Sequence, residues 1–420
     1  MTTAVPGAAE PAAGQARTGS GRCNPAEAAV SRVFREEAGR LISSLVRRLG
    51  DFDMAEELVQ DAIVEALEHW PLTGVPANPG AWLALTARRK ALDQVRRNTR
   101  LAEKLQLVAA SDAPAEEPDD RLRLIFTCCH PALAREAQVA LTLRAVAGLT
   151  TSQIAHAFLA QERAVAQRIV RAKRKIVTAR IAYRVPSGAE LAERLDEVLA
   201  VLYLMFNEGY LASSGPAPTR PRLAEDAEWL CGLLVGLMPG EPEPLGLLAL
   251  MRLHRARAAA RFDGRGELVL LKDQDRSLWD LGLIGEAGAL IERAASAHRP
   301  GAYQLQAAIA AVHAESSSWA DTDWPQVAGL YGLLLRHRDT PVVRLNLAIA
   351  LSHVHGADRA LGLLDQLAGA LDGYHLYHAS RGDLLERLGR HEEARAAHRR
   401  ALQMTANPAE RSLLERKLVF

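Results

Sequence analysis

Residues 148–176 read GLTTSQIAHAFLAQERAVAQRIVRAKRKI, and their pattern is that of two short helices joined by a tight turn. A first apolar stripe at helical spacing ends near residue 158, and a second begins at residue 165. The stripes consist of Ile154, Ala155 and Phe158, and of Val165, Ile169, Ala172 and Ile176. This spacing predicts a helix-turn-helix.

The second of these helices is strongly basic. Residues 163–184 include eight Arg or Lys residues and no acid. The positions that face away from the apolar stripe include Arg163, Gln167, Arg171 and Arg174. Arg and Gln carry the forked donors and acceptors that read guanine and adenine edges in the major groove. The pattern therefore favours binding to duplex DNA, with a solvated basic face on an ordinary helical hairpin as the alternative.

Composition indicates a globular protein of the reducing cytoplasm. The 420 residues are 49% hydrophobic and 24% charged, and the net charge of +1 hides strong local asymmetry. Four cysteines do not make a disulfide framework in a chain this long. No signal peptide is expected, and apolar runs such as residues 198–206 are too short to span a bilayer.

The periodicity of the chain is helical from residue 25 almost to its end. Residues 1–24 are rich in Ala, Gly, Pro, Ser and Thr, and we predict that they form a disordered tail. Ala and Leu are abundant afterwards, and the alternating apolar runs typical of strands are scarce. The sequence therefore predicts an all-α fold.

An acidic helix is predicted over residues 54–70, with Asp53 as its N-cap. Residues 51–70 contain seven acids and no Lys or Arg. A solvated acidic face is the ordinary interpretation of such a run. Because like charges repel phosphate, the helix is a poor DNA contact, and a basic protein surface is the partner that its charge fits.

A second basic helix is predicted upstream of the helix-turn-helix, over residues 81–100 and after a Pro/Gly-rich loop at 71–80. Its core face is predicted to include Trp82 and Leu85, and its opposite face carries several arginines. A polar linker, residues 106–119, separates the two basic helices. Two basic helices joined in this way suggest a protein that grips DNA at two separated places.

Polar residues of the chain's middle region raise an enzyme hypothesis, which the sequence does not favour. No nucleophile, metal-ligand spacing or phosphate loop accompanies them, so we expect salt bridges and helix caps, no catalysis and no cofactor. These residues are Asn207, Glu208, Asp273, Asp275, Arg276 and Asp280. Cys128, Cys129 and His130 lack a second Cys/His pair at ligand spacing, so no metal site is predicted.

A repeat is visible in the last part of the chain. Ala360 and Ala394 are 34 positions apart, which is the tetratricopeptide period. Stacked helical pairs of this kind build a concave surface for a peptide or protein segment. A purely structural extension is the alternative.

Several motifs, in the same order, resemble those of bacterial extracytoplasmic-function sigma factors of the sigma-70 family. They are MAEELVQDA at 54–62, AWL at 81–83 with ALDQVRR at 91–97, and GLT at 148–150 followed by IA at 154–155 and VRAKR at 170–174. Three further stretches resemble a set of these factors fused to a long helical domain with tetratricopeptide-like repeats. They are IFTCCHP at 125–131, YLMFNEGY at 203–210 and LKDQDR at 271–276.

The chain departs from the pattern at two places. QERA at 161–164 stands where Pro-Glu-x-Thr is expected, and Ala182 stands where a proline is usual. The first departure means that the promoter preference is not carried over from the resemblance.

The resemblance implies a role for each basic or acidic helix. The acidic helix would dock on RNA polymerase through Asp53, Glu56, Glu57, Gln60 and Asp61. The −10 element would be engaged by Asn78, Trp82, Arg88, Arg89, Arg96 and Arg97, although Trp82 also fits a core position. The −35 duplex would be contacted by Arg163, Gln167, Arg168, Arg171, Lys173, Arg174 and Lys175, with the two lysines on phosphates.

The predicted organisation is two small helical domains, the second a helix-turn-helix, followed by a helical tetratricopeptide-like region. Its parts are the tail 1–24, a core-polymerase and −10 domain 25–105, the linker 106–119, a −35 domain 120–184, a helical middle region 185–300 and a repeat domain 301–420. The implied function is a sigma factor that binds core RNA polymerase and promoter DNA and is modulated by its C-terminal region. The alternative is a helix-turn-helix regulator with a tetratricopeptide sensor domain that never joins polymerase.

Overall fold

The computed structural model describes residues 25–97, 120–158, 160–211 and 219–419, so the predicted tail and linker lie outside the described residues. In chain order the α-helices are α1 Pro25–Leu49, α2 Phe52–Thr73, α3 Pro79–Arg97, α4 Arg121–Cys128, α5 Arg135–Ala145, α6 Thr151–Ala157, α7 Glu162–Thr178, α8 Ala189–Tyr210, α9 Pro221–Leu237, α10 Pro242–Ala256, α11 Leu281–Ala295, α12 Ala302–Glu315, α13 Trp324–His337, α14 Pro341–His355, α15 Ala357–Asp365, α16 Ala368–Leu371, α17 His375–Arg387, α18 His391–Met404 and α19 Pro408–Val419.

The all-α prediction is confirmed. Over the described ranges, β pairing is limited to one isolated bridge between Phe262 and Leu268. Three short 3₁₀ helices lie on either side of this bridge, at Ala258–Ala260, Leu271–Asp273 and Arg276–Leu278.

Local signals in the sequence set many helix starts. Asp323 caps α13 by accepting from Gln326 N at 2.9 Å, and Thr340 caps α14 by accepting from Val343 N at 3.3 Å. Proline occupies the first turn of α9, α10 and α14, where its missing N–H is no loss.

The acidic helix begins two residues earlier than predicted. Asp51, in an extended conformation, accepts from Asp53 N at 2.9 Å and from Met54 N at 3.1 Å. Asp53 is therefore already inside α2, and the prediction that it is the N-cap was wrong. The loop predicted over 71–80 is also shorter, because α2 continues through Pro71 to Thr73 and α3 begins at Pro79.

One large hydrophobic core connects the N-terminal helices to the middle of the chain. It runs from α1 to α12 and includes the fully buried side chains of Phe126, Phe206 and Tyr303. It is continuous past residue 184, where the helix-turn-helix segment gives way to α8.

Three smaller cores follow along the C-terminal helices, as expected for stacked helical pairs. Helices α12, α13, α14 and α15 pack in succession, α15 packs on α17, α17 packs on α18, and α18 packs on α19. Ala360 on α15 and Ala394 on α18, the two repeat positions, are each 1% exposed. Gly356 and Gly389 precede these helices with φ of 89° and 72°, in the left-handed region that favours glycine.

Candidate nucleic-acid interface and acidic helix

Helices α6 and α7 form the predicted helix-turn-helix. Thr150 and Gln153 make a capping box at the start of α6: Gln153 N donates to Thr150 Oγ1 at 3.1 Å, and Thr150 N donates to Gln153 Oε1 at 2.8 Å. Gly148, with φ of 71°, turns the chain into this cap. Ile154 on α6 and Val165 on α7 are each 1% exposed, so both apolar stripes face the core as the sequence predicted.

The outer face of α7 presents a positively charged surface to solvent. Arg168 is half-buried, and five other predicted −35 residues are exposed. The exposed residues are Arg163, Gln167, Arg171, Arg174 and Lys175. Their donors are accessible to a DNA duplex in this arrangement.

Lys173 differs from these residues because it lies on the inner side of α7. Its side chain is 10% exposed, and its Nζ donates to Asp53 Oδ1 and to Glu56 Oε2, each at 2.7 Å. Burial lowers the pKa of Lys173, but the negative charges of Glu56 and Asp53 outweigh this effect and raise the pKa above its ordinary value. In this arrangement the Lys173 amine is bound to the acidic helix and is not presented on the outer face of α7.

Arg144 completes the contact from the end of α5. Its guanidinium forms an ion pair with Glu56 and also donates to the carbonyl oxygen of Leu149 at 3.2 Å. The Arg144 side chain is 17% exposed and that of Glu56 is 14% exposed. Glu56 is therefore shared by two cations from the helix-turn-helix region.

The acidic face of α2 is only partly free. Glu57, Gln60 and Asp61 are exposed, and the Asp53 side chain is 78% exposed although one oxygen accepts from Lys173. The expectation of a solvated acidic face was wrong for Glu56, whose side chain is only 14% exposed. Glu56 is on the polar face of α2, but contact with α7, more than 100 residues away in the chain, buries it.

The residues predicted to engage the −10 element lie on α3 and the loop before it. Asn78 is exposed, and its Oδ1 accepts from Ala81 N at 2.9 Å, so it caps α3. Trp82 is partly buried and packs edge to face on Trp70 with ring centroids 5.6 Å apart, which supports the core interpretation of this residue.

The arginines of α3 are described only in part. Arg89 is exposed and Arg88 is half-buried. Arg96 and Arg97 belong to the end of α3, and their side chains lie outside the described residues. Leu85, predicted to face the core, is 47% exposed, and Leu83 is buried instead at 2%.

Close backbone contact joins α1 to the end of α5. A Cβ atom added at Gly39 would lie 2.6 Å from the carbonyl oxygen of Val146. Nearby, Tyr183 Oη donates to the carbonyl oxygen of Ser43 at 3.0 Å, and its ring contacts Phe52 edge to face with centroids 6.3 Å apart. The segment after the helix-turn-helix is thus fixed to the first two helices.

The middle region is attached to the helix-turn-helix domain through α8. Arg194 donates to the carbonyl oxygen of Phe126 at 2.5 Å. Glu197 forms an ion pair with Arg135 at 2.8 Å, and Arg135 also donates to the Glu197 carbonyl at 3.2 Å. These contacts hold α4 and α5 against α8.

The polar residues of the middle region make caps, hydrogen bonds and ion pairs. Asp280 caps α11 by accepting from Leu283 N at 3.0 Å, Asp275 accepts from Ser277 N at 2.9 Å, and Glu208 pairs with Arg220. Arg276 donates to backbone carbonyls of α12 and of the loop after it, at 2.5 and 2.7 Å. Asp275, Asp280 and Glu208 thus make the caps and the salt bridge that the sequence predicted.

Potential metal ligands come together at one place in the described residues. One ligand atom each of Asp383, Glu386 and His398 lies within 4.8 Å of the others. Asp383 already accepts from the Lys417 ammonium and contacts His398 Nε2 at 3.0 Å, so the carboxylate is neutralised without a metal. Burial raises the pKa of both Cys128 and Cys129, the latter to about 11, and this disfavours the thiolate form that binds metals.

Comparisons with known proteins match three segments of the chain. Residues 33–101 match Sigma-70 region 2, residues 123–176 match Sigma-70, region 4, and residues 194–295 match a family of unknown function (DUF6596). No solved structure matches the chain. In the described residues, no helix has the length and apolar character needed to cross a membrane.

Relatives extend these matches. The "Uncharacterized protein R00370" of Rhizobium meliloti is 43% identical over 389 residues, which is 90% of this chain and 92% of that protein. The "ECF RNA polymerase sigma factor SigL" of Mycobacterium tuberculosis is 30% identical over 137 residues, 31% of this chain and 77% of SigL. The "Probable ECF RNA polymerase sigma factor SigI" of the same species is 30% identical over 164 residues, 36% of this chain and 56% of SigI.

The acidic helix, the helix-turn-helix and their matching segments define a protein of the sigma-70 class. More particularly, the chain belongs to the ECF RNA polymerase sigma factor family and carries a helical C-terminal extension.

Proposed function

We propose that this sigma factor binds core RNA polymerase through the acidic face of α2, recognises a promoter through α7 and α3, and starts transcription. The main support for this proposal is that the N-terminal part of the chain exposes two surfaces of opposite charge, one on α7 and one on α2. The outer face of α7 is basic, and α2 carries Glu57 and Asp61 in solvent.

The −35 element is assigned to the outer face of α7. Arg171 and Gln167 lie one helical turn apart there, and both are exposed. Such side chains make base contacts in the major groove, while Lys175 and Arg174 have the charge to hold phosphates. Lys173 is left out of this surface because its amine is held by Asp53 and Glu56.

The −10 element is assigned to Asn78 and α3. Asn78 lies at an exposed loop end, and Arg89 is exposed on the helix that follows. A loop with exposed polar groups is suited to receive a base extruded from melting DNA, and arginines track the backbone. Trp82, in the first turn of α3, packs on Trp70 of α2 and so fixes the start of α3 next to Asn78.

The C-terminal extension is proposed to modulate these activities. Its first helix, α8, contacts α4 through Arg194 and α5 through Glu197. We propose that a partner bound to the later helices acts on the helix-turn-helix domain through these contacts of α8. Stacked helical pairs offer the concave surface that such a protein or peptide partner needs.

Titration of core RNA polymerase with the full-length protein tests the polymerase assignment. The double variant Glu57→Lys/Asp61→Lys is expected to bind at least about tenfold more weakly, equivalent to roughly 1.4 kcal/mol. Glu68→Lys, an exposed acid near the other end of α2, is the matched control and is expected to bind like the unmodified protein. Equal affinities of all three proteins would refute the assignment.

A further inference from the structure

Four side chains near the start of the repeat helices each bury a polar atom that has no hydrogen-bond partner among the described residues. The atoms are Nη2 of Arg276, Nε1 of Trp279, Nδ1 of His313 and Oγ1 of Thr322. Trp279 and Thr322 are each only 5% exposed. Burying a polar atom without a partner costs free energy, so orphaned atoms of this kind indicate a bound water or ion.

Direct contacts hold these four side chains, the donor cluster, in one place. Nη1 of Arg276 donates to the carbonyl oxygen of His313 at 2.5 Å. The Arg276 guanidinium also lies over the Trp279 ring, 4.5 Å from its centroid. The His313 ring stacks on Trp319 with centroids 5.8 Å apart, and the Trp319 carbonyl oxygen accepts from Thr322 N at 3.4 Å. The orphaned atoms therefore belong to one local group of residues.

Positive charge is not paired in this part of the protein. Arg257, just after α10, donates to His254 Nδ1 at 2.9 Å. In the described ranges neither Arg257 nor Arg276 forms an ion pair with a carboxylate. Burial lowers the pKa of Arg276, and the positive charge of Arg257 lowers it further. Both arginines therefore act as cations in the same surroundings without a bound anionic partner.

Asp321 is the acid whose charge acts on Arg276, and it opposes the effect of Arg257. Its carboxylate is exposed and accepts from the hydroxyls of Ser317 and Ser318, at 2.5 and 2.8 Å. These bonds hold the carboxylate in the loop before α13 and leave the Arg276 Nη2 atom orphaned. The donor cluster thus presents N–H and O–H groups with more positive than negative charge around them.

We propose that the donor cluster binds the phosphate group of free phosphate or of a small phosphate ester, held by Arg276, Trp279 and Thr322. Arginine makes charge-assisted hydrogen bonds to phosphate, and the indole N–H and the hydroxyl each add a donor. Such a group carries a charge of about −1.5 to −2 at neutral pH, which matches the charges of Arg257 and Arg276. Water satisfies the hydrogen bonds but leaves those charges uncompensated.

The site links the middle region to the repeat helices. Arg276 and Trp279 precede α11, His313 is on α12, and Thr322 is in the loop before α13. A bound phosphate group would therefore connect segments that are more than 30 positions apart in the chain. The inference does not depend on the sigma role, because binding at this site is measured without polymerase or DNA.

Isothermal titration calorimetry of the full-length protein with inorganic phosphate, at an ionic strength held constant with NaCl, tests the site. We expect saturable binding of a single phosphate per chain. Thr322→Val keeps the shape of the side chain and removes the hydroxyl, so it should weaken phosphate binding at least about tenfold. Without phosphate its thermal midpoint should not fall, because the variant loses no hydrogen bond to another protein group.

A pair of arginine variants separates the site from general attraction of anions. Arg276→Gln is expected to abolish measurable phosphate binding. Arg336→Gln, at an exposed position on α13, removes the same charge and is expected to bind phosphate like the unmodified protein. Arg276 also bonds to carbonyl oxygens, so circular dichroism checks its folding, and Thr322→Val decides the result if Arg276→Gln is unfolded.

Glycerol 3-phosphate distinguishes the two sources of the phosphate group. Tighter binding of this ester than of inorganic phosphate assigns the site to a phosphate ester, and weaker binding assigns it to the free ion. Absence of saturable binding of both compounds overturns the proposal and leaves water as the partner of the orphaned atoms. Equal phosphate affinities of Thr322→Val and Arg336→Gln also overturn it.

Discussion

Lys173 Nζ lies 2.7 Å from Glu56 Oε2, although the two residues are 117 positions apart in the chain. One comes from the helix expected to bind DNA, and the other from the helix expected to bind polymerase. Their contact places a basic residue of the −35 motif on the inner side of α7, with a side chain that is only 10% exposed. The two predicted binding surfaces therefore share an internal ion pair.

Replacement of Glu56 is expected to destabilise the protein more than replacement of its neighbour. Glu56→Ala leaves the buried cations of Lys173 and Arg144 with fewer partners, which costs about 1–3 kcal/mol in the free energy of unfolding. Glu57→Ala, at an exposed site, is expected to change it by less than about 0.5 kcal/mol. Urea unfolding of the two variants checks the difference, and equal values would contradict the contact.

Two lysines of α7 are expected to differ in DNA binding. Lys175→Ala should weaken binding to all duplex sequences alike, as expected for a lost phosphate contact. The salt slope, which is the slope of log affinity against log salt concentration, should decrease in magnitude by about 1. Lys173→Ala should leave the salt slope of the free protein unchanged, because its amine is held by Asp53 and Glu56. Fluorescence anisotropy over a series of salt concentrations measures both. A reduced slope for Lys173→Ala would show that this lysine reaches DNA.

Arg171 is expected to read a base edge. Arg171→Ala should weaken binding to the preferred −35 duplex by about 1–3 kcal/mol and relax the preference at one base position. Competition experiments with duplexes substituted at single positions measure the effect. An unaltered −35 preference in the variant would exclude a base-reading role and leave Arg171 as a phosphate contact at most.

Acidification is expected to loosen the packing of α12 against the loop that leads to α13, where His313 stacks on Trp319. Burial, reinforced by the positive charges of Arg257 and Arg276, lowers the pKa of His313 from 6.5 to about 4. The unfolded chain therefore binds a proton between pH 6.5 and 4 that the folded chain does not, so this contribution is complete above pH 6.5 and decreases as the pH falls. We expect the free energy of unfolding to fall by on the order of 3 kcal/mol over this pH range.

Tryptophan fluorescence reports this transition, because His313 stacks on Trp319 with centroids 5.8 Å apart. His313→Phe keeps an aromatic ring at the position and removes the titrating group, so its stability should depend less on pH. Some dependence should persist, since burial also lowers the pKa of His353 to about 4. Identical pH profiles for the two proteins would contradict the assignment to His313.

The periodic features of the fold could be predicted from the sequence because they depend on local pattern. The stripes at Ile154 and Val165 face the core as their spacing indicates, and the caps at Asp280 and Asp275 follow from residue type. The prediction of Asp53 as the N-cap of α2 was wrong because Asp51 is an equally good N-cap residue two positions earlier, and only the backbone conformation distinguishes the two.

The positions of Lys173 and Leu85 depend on tertiary contact, which local pattern does not contain. Lys173 is next to Ala172 at the edge of the apolar stripe, and only the approach of α2 decides that its amine turns inward. Leu85 fits a core stripe by spacing, but none of the helices in the described ranges buries it, and it is 47% exposed. The contact of α8 with α4, in which Arg194 donates to the Phe126 carbonyl oxygen, also could not be predicted from local pattern.

Run-off transcription by core RNA polymerase from genomic fragments is the most direct measurement of the sigma role. The full-length protein is the right material, because the large core continues past residue 184 and a truncation there would uncover it. Specific transcripts are expected with the unmodified protein and with Glu68→Lys, and their loss is expected with Glu57→Lys/Asp61→Lys. Absence of transcripts from all three proteins, together with tight binding to free promoter DNA, would contradict the sigma role and favour a regulator that never joins polymerase.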